Sequence, residues 1–143
     1  MKKILLIDDD SAIRHVLVRI LVDENFGAFA AADGEEALAC AARMKFDLIL
    51  LNLKLPENEG WASFQELSGL YPQVPIILMT AESNQLFPAL AAGARALLEK
   101  PFDFDCLLST IRSVISADQF SRRSRDSAPC SQTRDIGAAE SAE

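Results

Sequence analysis

Apolar residues occur along this chain in two alternating patterns, short unbroken runs and helical stripes. Unbroken runs without water-facing positions are typical of strands buried on both faces of a sheet. The predicted strands are residues 4–7, 28–32, 48–51, 76–79 and 94–98. Between and after them, apolar residues at i, i+3, i+4 and i+7 spacing predict five helices, whose stripes begin near Ile13, Ala37, Trp61, Leu86 and Leu107. This alternation predicts an α/β fold with a doubly wound parallel sheet and right-handed crossovers.

Capping and breaking residues refine these helices. Asp10 or Ser11 is available to cap the first helix, and Asp33 with Glu36 forms a capping-box pattern at the second. Pro88 interrupts the stripe of the fourth helix. Because proline is tolerated only in the first turn of a helix, we expect a late start or a kink there.

The C-terminal composition changes near Asp118. Residues 118–143 are rich in Ser, Arg, Asp and Ala and have almost no apolar periodicity. Such a segment cannot bury enough surface to offset its ordering entropy, so we expect a disordered tail. One domain is predicted over residues 1–117, and the 26 residues that follow are too few for a second module.

Composition narrows the function classes. The net charge of -7 argues against direct nucleic-acid binding, which needs a basic surface, and it suits a cation. No apolar run reaches the roughly 18 residues of a membrane span, and the first apolar stretch is too short for a signal peptide. We therefore expect a cytoplasmic protein without membrane contact.

The three cysteines, Cys40, Cys106 and Cys130, have no Cys-x-x-Cys spacing. Their odd number and spacing indicate neither a disulfide framework nor a zinc site. Cys40 and Cys106 lie within helical stripes, and the simplest interpretation is that both are small core residues.

Polar residues follow several of the predicted strands directly. Asp8 and Asp9 follow the first strand, Asn52 the third, Thr80 the fourth and Lys100 the fifth. In an open parallel sheet these strand ends meet at the edge that binds ligands, so we expect the side chains to converge there. Carboxylate oxygens suit magnesium, and a lysine ammonium suits a phosphoryl oxygen. Alternatively, an aspartate caps the helix and the other polar side chains are simply solvated.

The ordered motifs resemble the receiver domain of bacterial two-component response regulators over residues 3 to about 117. The matching segments are Asp8-Asp9 after Ile-Leu-Leu-Ile, Leu-Pro-Glu-Asn-Glu-Gly, Met79-Thr80-Ala81, Gly93-Ala94 and Lys100-Pro101-Phe102. The resemblance implies a flavodoxin-like (βα)5 fold with strand order 2-1-3-4-5. It also implies a signalling module, not an enzyme, that takes a phosphoryl group from a sensor histidine kinase or phosphotransfer protein and acts on a downstream protein.

The resemblance assigns roles to individual residues. The magnesium ligands would be Asp8, Asp9, the side chain at Asn52 and the backbone carbonyl of Lys54. Thr80 would bond a phosphoryl oxygen and Lys100 would pair with it, after a cis bond to Pro101. These roles agree with the chemistry of phosphoryl transfer, which depends on positioning and on neutralising charge.

The phosphoacceptor position departs from the family, because it holds Asn52 where an aspartate is expected. A neutral amide is a far poorer nucleophile than a carboxylate, so formation of an aspartyl phosphate should be absent. The lost charge should weaken magnesium binding and relieve repulsion among carboxylates. Asn52 fits either an engineered substitution or a natural, phosphorylation-independent pseudo-receiver, and the retained Asp8 and Lys100 favour a recent or deliberate change.

Two further departures concern access and output. Leu97 stands where the family often has a switching aromatic residue, so the usual rotamer switch should be altered. Lys54 and Glu82 carry opposite charges near the predicted pocket and are either a pair across its mouth or two independent solvated side chains. The kinase is expected to dock on the first helix and the neighbouring loops.

Two other function classes fit parts of the sequence. A magnesium-dependent phosphatase would use a nucleophilic Asp8 and a general acid at Asp10, but the cap segments of such enzymes are missing. A flavin or nucleotide carrier would need a glycine-rich loop after the first strand, and none is present.

Overall fold

The computed structural model describes residues 1–55, 59–82, 86–119 and 133–135. The strands are β1 (Lys3–Ile7), β2 (Gly27–Ala31), β3 (Leu48–Asn52), β4 (Ile76–Thr80), β5 (Ala96–Glu99) and β6 (Thr133–Asp135). The helices are α1 (Ser11–Asp23), α2 (Gly34–Arg43), α3 (Glu59–Leu70), α4 (Leu86–Ala92) and α5 (Phe104–Gln119). The strand order is β2-β1-β3-β4-β5-β6, so the predicted order 2-1-3-4-5 is confirmed and one strand is added.

The chain divides into two compact units, residues 1–76 and 77–143. In the first unit, β1 pairs in parallel with β2 on one side and with β3 on the other. In the second unit, β5 pairs in parallel with β4 and antiparallel with β6. The strands predicted from unbroken apolar runs are therefore present in both units.

The strand interiors are buried as their sequences predict. Residues 4–7 of β1 and all of β3 and β4 are buried. β2 consists mostly of small residues, and only its last residue, Ala31, is buried. The burial of β1 and β3 on both faces follows from their Ile and Leu content, because no position in either run offers a side chain to water.

Helix starts match the capping signals. The Asp10 side chain accepts hydrogen bonds from the amides of Ala12 and Ile13, so Asp10 and not Ser11 caps α1. Asp33 caps α2 by accepting from the Glu36 amide, and the Glu36 carboxylate accepts from the Ala32 amide. Among the described residues, every helix is too short or too polar to cross a membrane.

The fourth helix accommodates Pro88 in its first turn. α4 begins at Leu86, which places Pro88 in the first turn. Proline at that place interrupts no intrahelical hydrogen bond, since the first amides of a helix have no partner within it. The predicted late start is confirmed.

The structure describes two parts of the predicted C-terminal tail. Helix α5 extends to Gln119, and Thr133–Asp135 form β6, so these parts of the predicted disordered segment have regular structure. A main-chain ladder does not depend on apolar periodicity, which is why the composition did not reveal it. The other residues of that segment, 120–132 and 136–143, lie outside the described residues.

Cys106 is buried, as expected, but it is disulfide-bonded, which contradicts its assignment as a simple core thiol. Cys40 is a free thiol of intermediate exposure. Disulfide formation depends on the approach of two sulfur atoms in the folded chain, which spacing along the sequence does not indicate.

The start of α3 packs closely against the backbone of the loop that follows β3. A Cβ added to Gly60 would lie 2.5 Å from the carbonyl carbon and 2.6 Å from the Cα of Leu53. Because both atoms belong to the backbone, the added Cβ could be accommodated only if the loop moved. On the same helix, a Cβ on Gly69 would meet nothing within 4 Å.

These two glycines give a matched pair of substitutions. Gly60→Ala should lower the free energy of unfolding by about 1 to 3 kcal/mol, as overpacking does. Gly69→Ala should raise it by up to about 1 kcal/mol, because alanine is the better helix former. Urea denaturation followed by Trp61 fluorescence measures both, and equal effects of the two substitutions would contradict the close packing at Gly60.

Candidate functional site

The predicted site residues fall into two groups at the carboxyl ends of strands, one group in each unit. The first unit holds Asp8 and Asp9 after β1 and Asn52 at the end of β3. The second unit holds Thr80 at the end of β4 and Lys100 after β5. The structure thus brings together the members of each group, and the convergence of the two groups on one pocket stays a prediction.

Asp8 is held at three points. Its amide donates to the carbonyl of Ala31 at 3.1 Å, which extends the ladder between β1 and β2 by one residue. Its Oδ1 accepts from the Asp10 amide at 3.0 Å, and its carbonyl accepts from Nη1 of Arg14 at 2.7 Å. With 1% of its surface exposed, Asp8 is a carboxylate in a fixed place at the end of a buried strand.

Asn52 stands beside Asp8. In the β1–β3 register Ile7 pairs with Leu51, so the next residue of each strand lies at matching height on neighbouring strands. Such strands are about 4.8 Å apart. Asn52 is 3% exposed, and its Oδ1 accepts from the Lys54 amide at 3.2 Å. This bond orients the carbonyl oxygen of the amide toward the loop and its NH2 group away from that hydrogen bond.

The side chains of this group offer oxygen atoms, which are the type of ligand that a hard divalent cation prefers. Asp8 supplies a buried carboxylate and Asp9 an exposed one. Asp10 is occupied by its capping bonds to α1. Within the described ranges there is no cluster of three His, Cys, Asp or Glu side chains suited to a metal, so any site here combines two carboxylates with amide and main-chain oxygens.

The second group pairs a hydroxyl with a lysine. Thr80 is buried, and its Oγ1 accepts from the Glu82 amide at 3.0 Å. Since a hydroxyl has one proton to donate, that proton is directed away from this acceptor contact. The Lys100 amide donates to the Thr80 carbonyl at 2.7 Å, and the Lys100–Pro101 bond is cis, as the family resemblance implied.

The residues predicted to control access and output are placed as follows. Lys54 and Glu82 are both exposed, and the ion pair between them stays a prediction. Leu97 is fully buried within β5. It therefore fills the strand interior as a core residue, and the altered aromatic switch stays a prediction.

Arg14 belongs to the site, although sequence reasoning placed it only on the docking helix. Its Nη1 reaches back from the first turns of α1 to the carbonyl of Asp8. The signal was its spacing: a residue four positions after the cap at Asp10 lies one turn above it on the same side of the helix. The bond fixes the main chain from which the Asp8 carboxylate projects.

This chain is similar in sequence to proteins of a known family. A family model of the response regulator receiver domain matches residues 4–112. The transcriptional regulatory protein CpxR of Klebsiella pneumoniae is 34% identical over 140 residues, which cover 96% of this chain and 60% of that protein. ZraR of Salmonella typhimurium is 34% identical over 137 residues, covering 94% of this chain and 31% of ZraR. The chain thus spans about a third to three fifths of these relatives.

Solved structures agree with the sequence comparison. A CheY-like receiver domain protein from Methanospirillum hungatei is similar with a TM-score of 0.79 and 31% identity, covering 84% of this chain and 98% of that one. Chemotaxis protein CheY4 of Vibrio cholerae is similar with a TM-score of 0.74 and 33% identity, covering 78% of this chain and 97% of CheY4. With most of its length matched in sequence and in fold, this chain belongs to the response regulator receiver domain family.

Proposed function

We propose that this chain is the receiver module of a two-component signalling pathway and that Asn52 holds it in the unphosphorylated form. Its partners are a sensor histidine kinase or a phosphotransfer protein upstream and a protein target downstream. We place it in the cytoplasm and assign it no enzymatic turnover of its own. The observation that carries the proposal is a buried Asn52 beside a fixed, buried Asp8 at the ends of neighbouring strands.

The amide at position 52 blocks the covalent step. Phosphoryl acceptance requires a carboxylate oxygen to attack phosphorus while the bond to the donor atom breaks. In Asn52 one oxygen is present, and it accepts from the Lys54 amide. The other terminal atom is a nitrogen that carries two protons and has no lone pair to offer to phosphorus. A phosphorylation-independent pseudo-receiver, acting purely by protein interaction, is the second candidate, and Asn52 is the observation that favours it.

Magnesium would be held by the carboxylates of Asp8 and Asp9 and the backbone carbonyl of Lys54, with the amide oxygen of Asn52 as a weak ligand. The donor set is oxygen throughout, which supports this choice of metal. When bound, the metal supplies positive charge to the phosphoryl oxygens. Thr80 would donate its hydroxyl proton to such an oxygen, and Lys100 would add a second positive charge.

Helix α1 offers a surface for the upstream partner. Leu17 is buried and offers no surface to a partner, whereas Val16 on the same helix is 45% exposed. Ile13 and Arg14 are of intermediate exposure at the start of the helix, next to Asp8. An apolar contact on Val16 flanked by these residues would place a partner histidine near the first group of site residues.

The phosphatase alternative is less well supported. It requires Asp10 to act as a general acid, yet a single oxygen of Asp10 accepts from two amides at the start of α1. An oxygen that is held by the helix cap in this way is turned toward α1 and not toward a leaving group. The engagement of Asp10 therefore supports a signalling module over an enzyme.

Restoring the carboxylate should restore phosphoryl acceptance. We expect Asn52→Asp to become labelled by a small phosphodonor such as acetyl phosphate with Mg²⁺, because the remaining apparatus is retained. Intact-mass spectrometry measures the label, with Asn52→Ala as the matched inert control. Labelling of the unaltered chain, or no labelling of an Asn52→Asp variant that binds Mg²⁺, would contradict the proposal, and the latter would favour the pseudo-receiver.

The same substitution should tighten the binding of Mg²⁺. Adding a negative charge beside Asp8 should lower the Kd by roughly tenfold or more, since the cation then balances another ligand charge. In chelator, Asn52→Asp should lower the midpoint of urea unfolding, because the like charges repel without a cation. Calorimetric titration measures the Kd. Asp8→Asn should weaken binding in both backgrounds, and an unchanged Kd in that variant would remove Asp8 from the metal ligands.

Manganese tests whether both groups of residues serve one pocket. In Asn52→Asp, bound Mn²⁺ should broaden the NMR amide signals of Thr80 and Lys100 as well as that of Asp8, because paramagnetic relaxation falls steeply with distance. Excess Mg²⁺ should reverse the broadening, and Asp8→Asn should abolish it. Broadening confined to the first unit would refute a shared pocket.

A further inference from the structure

The start of the loop after β3 orients the side chain at position 52. Asn52 is the last residue of the strand, and its Oδ1 accepts from the Lys54 amide at 3.2 Å. Leu53 and Leu55 are buried, and Lys54 between them is exposed. Since the donor of that hydrogen bond belongs to the main chain, the course of the loop backbone decides how the side chain at position 52 is held.

One peptide unit of this loop has a neighbour at each end. It consists of the Leu53 carbonyl and the Lys54 amide, which the partial double bond between them holds in one plane. The amide end donates to Asn52, and the carbonyl end faces the Cβ position of Gly60 in the first turn of α3. Because the unit is rigid, a displacement of its carbonyl end also moves its amide end.

Gly60 leaves room for this peptide unit because it has no side chain. Gly60 is buried, and a Cβ added to it would overlap the Leu53 carbonyl oxygen and lie 2.5 Å from the carbonyl carbon. Cβ atoms do not approach backbone atoms this closely in folded proteins. With any side chain at position 60, either the start of α3 or the loop would therefore have to move.

The helix is held more firmly than the loop. Phe64 and Leu67 anchor α3 in the core, and Trp61 packs edge-on against Phe64 with ring centroids 5.9 Å apart. The backbone of α3 also has the hydrogen-bond ladder of a helix, whereas residues 53–55 belong to no helix or strand. The loop therefore yields first. Since its bond to Asn52 is already at the long end of the usual range, a shift of a few tenths of an ångström breaks that bond.

We propose that Gly60 is a positioning residue of the candidate site: by leaving space for the peptide unit of Leu53 and Lys54, it orients the side chain at position 52 and the Lys54 carbonyl. The part that concerns the carbonyl rests on the proposed function, in which that oxygen binds magnesium. Gly60 acts through the loop and contacts neither metal nor phosphoryl group. Groups that orient metal ligands in this way typically change the affinity by about 10- to 100-fold, and a side chain at position 60 should weaken binding accordingly.

Three alanine substitutions separate this role from a general loss of stability. Gly60→Ala crowds the loop. Gly34→Ala is the matched control, because Gly34 is also a buried helical glycine, and a Cβ there would meet the Ser63 side chain of α3 instead of the loop. Gly69→Ala meets nothing within 4 Å and serves as the common background, since its better helix propensity offsets part of the destabilisation.

Amide exchange measured by NMR tests the positioning without any metal. In the full chain, Gly60→Ala should make the Lys54 amide exchange about tenfold faster, because it loses a hydrogen bond, and should shift the side-chain NH2 signals of Asn52. Gly34→Ala should change neither. Amides of β1 should remain protected in both variants, which verifies that the fold persists. An unchanged Lys54 amide in Gly60→Ala, or an equal change in Gly34→Ala, overturns the proposal.

Magnesium binding tests the consequence for the site. In the Asn52→Asp background, Gly60→Ala should raise the Kd for Mg²⁺ by roughly tenfold or more in calorimetric titration, and Gly34→Ala should leave it unchanged. Equal Kd values with and without Gly60→Ala would overturn the role of Gly60 at the metal site. Absence of Mg²⁺ binding in Asn52→Asp alone would refute the proposed metal site and the metal part of this inference, while the exchange of the Lys54 amide decides the positioning of residue 52 separately.

Discussion

The parallel pairing of β1 with β3 is the constraint on which the candidate site depends. Both strands are buried on both faces, so their register is specified by apolar contacts above and below the sheet. A fixed register puts the residue after Ile7 beside the residue after Leu51, and those residues are Asp8 and Asn52. The position of the polar pair is therefore a consequence of the packing of leucine and isoleucine, and no direct bond between the two side chains is required.

Around that pair, main-chain hydrogen bonds provide most of the order. Asp8 is bonded through its amide, its carbonyl and one carboxylate oxygen, and Asn52 through its amide oxygen. Groups held this way cannot reorganise freely when a charge appears, which is what electrostatic preorganisation requires. The same rigidity makes the identity of the atom at position 52 decisive: an oxygen and an NH2 group of nearly equal size give opposite responses to a cation and to phosphorus.

The sequence predicted those features that depend on local patterns. Five strands, their order and the Asp33 cap follow from periodicity, capping chemistry and family resemblance, as do the choice between Asp10 and Ser11 at α1 and the choice between a late start and a kink at Pro88. Residues that depend on tertiary approach were missed or misjudged. The bond from Arg14 to Asp8 requires α1 to pack with a particular rotation, and the disulfide at Cys106 requires a second sulfur atom to approach in the folded chain. Neither approach leaves a trace in the spacing of apolar residues.

β6 shows a second limit of pattern reading. A polar segment without apolar periodicity has no side-chain pattern that predicts order, which is why residues 118–143 were expected to be disordered. Main-chain groups at a sheet edge, however, bind any extended segment that is held nearby, whatever its side chains. The pairing of Thr133–Asp135 with β5 is a main-chain ladder, and the composition of the segment therefore does not reveal it.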